Sequence, residues 1–168
     1  MFFLASCSKH YGDNELGDSI LGAWFCEYDA SGVIDLGSEK LHYTHVAQYA
    51  EYNADCTGMW CVAYFGSNRN SPVYMAGGHD IVGSRFYFRA LSNGQVTMYR
   101  DVDVDGMPDS WTVQYADDRI WITDGGYSVN QMVRATEEQK VRVIRWEESE
   151  RGSDSGMINL GGYDETEG

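Results

Sequence analysis

Apolar and polar positions alternate along most of this chain in short runs, and each run ends at a cluster of Gly, Asn, Asp or Ser. The most informative run is Leu21-Gly22-Ala23-Trp24-Phe25-Cys26-Glu27-Tyr28. Its period of two sets Trp24, Cys26 and Tyr28 on one face, and Ala23, Phe25 and Glu27 on the other. Glycine ahead of a large indole suits a first strand that bends sharply and lets the ring close one end of a core. Asp29-Ala30-Ser31-Gly32 reads as the end of that strand, with a Gly/Ser loop running on to Lys40. Leu41 to Tyr52 is the second strand, Asn53 to Gly58 a hairpin turn, and Met59 to Phe65 the returning strand. Val73-Tyr74-Met75 would add a short extra strand after the loop from Gly66 to Pro72.

The second half reads as a meander. Arg85 to Ala90 and Gln95 to Arg100 flank an Asn93-Gly94 turn, a strong hairpin signal. Ser110 to Ala116 and Arg119 to Thr123 flank Asp117-Asp118, and Tyr127 to Arg134 closes the series. The expected fold is all-β: one antiparallel up-and-down barrel of eight strands, whose closure removes the open edges. A two-sheet sandwich is the alternative. Thr136-Glu137-Glu138-Gln139 is a capping box, so a short helix is expected over 136–148, although Val141 to Arg145 alternates well enough for a strand. The domain plan is an N-terminal segment 1–7, a polar tether 8–19, the barrel at 20–135, the helix or strand at 136–148, and a disordered acidic tail at 149–168.

Composition agrees with the pattern. At 168 residues the chain suits one domain with a real core, and its 19 Gly against 2 Pro point to many tight turns. The formal net charge of −14 repels phosphate backbones and anionic lipid, which argues against nucleic-acid binding. No run reaches the roughly 18 apolar residues of a membrane helix.

Gly22-x-Trp24 in the first strand, with Arg134 at the end of the last to cover the indole, resembles the lipocalin (calycin) signature. The wider resemblance, over about Ile20 to Ala135, is to secreted lipocalin-like lipoproteins of Bacteroidetes. It rests also on the stretch from Tyr49 to Trp60 and on Ser110 to Asp117. The family's turn usually carries Gly where this chain has Cys56. The resemblance implies a barrel and structural roles for Gly22, Trp24 and Arg134, and is nearly silent on activity. Upstream, Leu4-Ala5-Ser6-Cys7 resembles a bacterial lipobox, which would lipidate Cys7 and anchor the protein in the cell envelope, at the outer membrane or facing the periplasm. It lacks the basic and long apolar regions of a full signal. The membrane is then met only through that anchor, and the barrel is expected to be monomeric.

Candidate chemistry is sparse. Asp101, Asp103, Asp105 and Asp109 stand at positions 1, 3, 5 and 9 of a loop, with Gly106 at the turn and the Met107 carbonyl available. That spacing suits calcium, but position 12 is Thr112 instead of a bidentate Glu, so any site should be weak. A solvated acidic connection is the plain alternative. Among the four cysteines, Cys26 with Cys61 is the expected disulfide, on strands that could be neighbours across the barrel closure; Cys56 with Cys61 and idle thiols are the alternatives. His42 and His45 are three apart on a strand and face opposite ways. His79-Asp80 could be a base with an orienting carboxylate, but no nucleophile motif accompanies it, so no enzyme and no cofactor beyond weak calcium are expected. The strand aromatics could fill the barrel or line an amphipathic pocket. The favoured function is binding of a small apolar or amphipathic molecule, with a filled scaffold or a calcium-stabilised extracellular domain as alternatives.

Overall fold

A computed structural model of the chain describes residues 20–79, 84–90, 95–100, 110–124, 127–128 and 131–152. Among these described residues ten strands come in chain order, followed by one helix. They are β1 (Gly22–Asp35), β2 (Lys40–Tyr52), β3 (Thr57–Phe65), β4 (Tyr74–Gly77), β5 (Arg85–Ala90), β6 (Gln95–Arg100), β7 (Ser110–Ala116), β8 (Arg119–Asp124), β9 (Tyr127–Ser128) and β10 (Met132–Arg134), then α1 (Glu137–Gly152). Pairing runs β10-β1-β2-β3-β5-β6-β7-β8, all antiparallel between neighbours, and β10 pairs again with β8. Eight strands therefore close on themselves as a barrel. β4 lies outside the ring, paired only with the second half of β3, while β5 pairs with its first three residues. Above that point β1 to β4 leave the ring as a flared extension.

Three stretches differ from the pattern reading. β1 does not end at Asp29; it runs to Asp35 through a bulge between Asp29 and Gly32. A Cβ at Gly32 would come within 2.4 Å of the Tyr43 hydroxyl, so glycine lets β1 take up the extra residue beneath that ring and keep its pairing. The turn falls instead at 36–39, closed by Leu36 N donating to the Glu39 carbonyl at 2.9 Å. The last expected strand is divided into β9 and β10. The helix is formed, with its capping box made on both sides: Thr136 N–H donates to Gln139 Oε1 at 2.8 Å, and Gln139 N–H to Thr136 Oγ1 at 3.2 Å. It extends to Gly152, four residues into the stretch read as a disordered tail.

The first three strands are apolar on both faces, because each face meets a different layer. Register places Trp24, Ala50 and Trp60 together toward the barrel interior, and Phe25, Tyr49 and Cys61 together on the outer wall. The interior cluster takes Ile20, Trp24, Tyr52, Phe86, Phe88, Val96, Met98, Val113, Ile120 and Met132. The outer cluster joins Phe25, Ala47, Tyr49, Met59, Cys61, Ala63 and Phe65 to Val143 and Trp146 of α1. Val143, Trp146 and Glu147 recur at helical spacing and are the buried face of α1. Trp146 stands edge-on to Phe65 at 5.1 Å, and each such buried side chain contributes roughly 1.5–3 kcal/mol.

Candidate functional site

One end of the barrel is closed. Trp24 is fully buried, its Nε1–H donates to the Ile20 carbonyl at 2.9 Å, and the Arg134 guanidinium lies 4.0 Å over its ring. Arg134 also bonds the Leu21 carbonyl and, through Nε, Asp118 at 3.0 Å. Gly22 (φ +109°) leaves room for that guanidinium: a Cβ there would sit 3.2 Å from Nη1. In the same interior cluster Tyr52, opposite Gly22, packs between Phe86 and Phe88 at 5.3 and 5.2 Å, so the lower interior is solid.

Toward the flared end the interior changes character. Cys26, Gln48, Trp60, Tyr28 and Tyr64 share the inward face of β1, β2 and β3 and are all half-buried. The Gln48 amide donates to the Tyr28 hydroxyl at 3.0 Å and accepts from the Cys26 thiol at 3.8 Å. Burial pushes that thiol up to about 11, so it is no nucleophile at neutral pH. Tyr64 meets Tyr43 at 4.9 Å and Tyr74 at 5.9 Å, and burial together with the neighbouring phenols raises its pKa. Trp60 packs on the interior cluster, yet its indole Nε1–H is shut off from solvent and has no hydrogen-bond partner. Among the described residues it is the one buried side-chain nitrogen or oxygen without a partner. Leaving a buried donor unpaired costs roughly 1–3 kcal/mol.

A second constellation lies on the outer wall, beside a cleft of about 330 Å³ lined by Glu51, Asn53, Thr57, Met59, His79 and Arg85, among others. His79 Nδ1 is 2.9 Å from Glu147 Oε2 of α1, and its Nε2 is 3.4 Å from Glu51 Oε1. Tyr49 donates its hydroxyl to Glu51 at 2.6 Å. Partial burial pulls His79 toward its neutral form, but the hydrogen bond and charge of Glu147, with the charge of Glu51, outweigh it and raise its pKa. The expected partner of His79 was its neighbour Asp80, which lies outside the described residues. Sequence reasoning missed Glu147, because 68 residues separate it from His79. The capping box showed the helix, but not where its carboxylates would land.

The expected Cys26–Cys61 disulfide is absent: both are free thiols. β2 stands between their strands, and the register points them to opposite faces, Cys26 inward with Trp24 and Cys61 outward under α1. Cys56 is disulfide-bonded, and its φ of +65° shows why a glycine would suit that turn. Cys61 being free, the Cys56–Cys61 staple is excluded as well. His45 is buried on the outer face between Asp29 at 3.0 Å and Glu27 at 3.6 Å, while His42 is exposed. Asp101, Asp103, Asp105, Met107 and Asp109 lie outside the described residues, as does Cys7. Among the described residues no group of three His, Cys, Asp or Glu could hold a metal ion. No protein family, curated protein or solved structure was found to match this chain.

Proposed function

We propose that this protein is a non-enzymatic, lipocalin-type binding module. It takes a small amphipathic molecule into the half-buried upper interior of the barrel, against Trp60, Gln48, Tyr28 and Tyr64. The observation that carries this is the unpaired, buried indole N–H of Trp60. Once the side chains that now cover it move aside, a ligand bearing an acceptor would pair that donor, while the tyrosine faces and the apolar cluster beneath would take its hydrophobic part. Most protein groups in such a position already have a partner, so an orphan donor beside half-buried aromatics supports the reading that one comes from outside.

Native mass spectrometry of the full chain, purified without reductant or chelator, tests the proposal. The expected result is extra mass of a few hundred daltons that leaves on denaturation. A bare mass, together with no binding of a neutral fluorescent naphthylamine probe, would transfer the assignment to a filled scaffold.

Export to an oxidising compartment is part of the proposal, supported by the Cys56 disulfide. With Cys26 and Cys61 free, Cys7 is the one other cysteine in the sequence. A lipid thioether on Cys7 and a Cys7–Cys56 bridge would compete for one sulfur. Intact mass under non-reducing conditions separates them: envelope anchoring through Cys7 predicts a diacylglycerol adduct, and the bridge predicts none.

A further inference from the structure

We propose that the Gly77–His79 turn and Glu147 form a protonation-dependent latch that holds α1 against the outer wall of the barrel. The receiving side is built for a carboxylate. Glu147 Oε1 accepts the His79 backbone N–H at 3.0 Å, and the imidazole Nδ1 faces both carboxylate oxygens, at 3.1 and 2.9 Å. Gly78 holds a φ of +136°, which L side chains rarely adopt, and a Cβ there would lie 2.8 Å from Glu147 Oε1, so any other residue would strain the turn and push on the carboxylate. The turn is itself braced, since Ser84 Oγ donates to the Gly78 carbonyl at 2.8 Å and Arg85 to the His79 carbonyl at 3.2 Å. Glu147 is only 8 % exposed, so its carboxylate oxygens are met chiefly by these protein groups.

The charged and titratable groups facing His79 come from every element around it: Glu147 from α1, Glu51 with its partner Tyr49 from β2, and Arg85 from β5. Cys61 on β3 lies in the outer cluster that α1 covers, close enough to feel both carboxylates. A further polar tie of α1, Arg142 to Glu27 at 3.1 Å, is solvent-accessible and correspondingly weak. Because docking holds His79 charged, its contribution is fully present below the ordinary histidine value of 6.5 and is lost as pH rises through the raised one. Undocking would bare Phe25, Tyr49, Cys61 and Phe65, an apolar face able to take other contacts.

Cys61 reports the latch, since it is 1 % exposed beneath the helix. In the full chain carrying Cys26→Ser, without reductant, Cys61 is labelled with a dipyridyl disulfide. Its rate is divided by that of the denatured chain at the same pH. Protection is expected to fall about fivefold from about pH 6 to about pH 9, as a charge-assisted hydrogen bond becomes a neutral one. The labelling rate should hardly respond to low urea, the mark of local opening. His79→Gln keeps a donor for Glu147 and should show no such pH dependence. Protection that is independent of pH in the parent chain, or an undiminished pH dependence in His79→Gln, overturns the latch. Should His79→Gln fail to fold, Glu147→Gln must abolish the same pH dependence, and its retention is equally fatal.

Discussion

The two ends of one barrel are built on opposite rules. At the closed end the polar groups of the plug are answered: the Trp24 indole by Ile20, and the Arg134 guanidinium by Leu21, Asp118 and the ring it covers. The residues around it are fully buried hydrocarbon and aromatic rings. At the flared end the inward face is half-buried, hydroxyls and amides bond one another, and Trp60 has an indole N–H with nothing to bond. The difference teaches where stability is stored and where the proposed ligand would sit. A core gains from complete satisfaction and dense packing. A binding site needs groups whose best partners come from outside.

Breaking the closed end should have the largest effect. Trp24→Ala removes the plug and leaves Arg134 without its ring, so a loss of about 3–5 kcal/mol is expected in chemical denaturation. A loss below about 1 kcal/mol would mean the ring is not the keystone described here. Glycine replacements sharpen the contrast. A Cβ at Gly58 would sit 2.1 Å from the buried Phe86 ring and 2.6 Å from the Glu51 carbonyl, neither free to move. Gly58→Ala should therefore cost roughly 1–3 kcal/mol. At Gly32 the obstruction is the half-buried Tyr43 side chain, which can swing, so Gly32→Ala should cost well under half as much. Equal costs at the two positions would erase the distinction between the ends.

The smallest effect belongs to the acidic connection between β6 and β7. If Asp101, Asp103, Asp105, Asp109 and the Met107 carbonyl take calcium with a dissociation constant of roughly 10⁻⁴–10⁻³ M, a tenfold excess adds only about 1.4 kcal/mol. Melting curves in calcium and in chelator should then differ by a few degrees, and Asp105→Ala should remove the difference. Identical curves for the parent chain would leave the loop as a solvated turn.

Much of the framework was legible in the sequence because it is written locally. The Gly22-x-Trp24 step, the Asp117-Asp118 turn and the Thr136–Gln139 capping box each act within a few residues and are met in the fold, while the Asn93-Gly94 turn lies outside the described residues. What stayed hidden was set by pairs distant in the chain. The bulge that carries β1 past Asp29 depends on Tyr43, which covers Gly32 from the next strand. The faces of Cys26 and Cys61 depend on register through β2, and alternation could not assign them because both faces of β1 to β3 are apolar. Glu147 meets His79 only once the helix lies across the wall. The want of a partner at Trp60 is a property of its surroundings and leaves no trace in the residue's own neighbours along the chain.

The most direct test of the ligand site is Trp60→Phe, which deletes the orphan donor together with part of the ring that packs on the interior cluster. Titration of a neutral amphipathic probe with one strong acceptor, alongside denaturation of the free protein, reads both halves of the claim. The account expects affinity to fall about tenfold, the loss of one buried hydrogen bond, while the free protein is as stable as before or slightly more so. Unchanged affinity, or a free protein clearly destabilised by the change, would contradict it: the Trp60 N–H would then serve the fold and not a ligand.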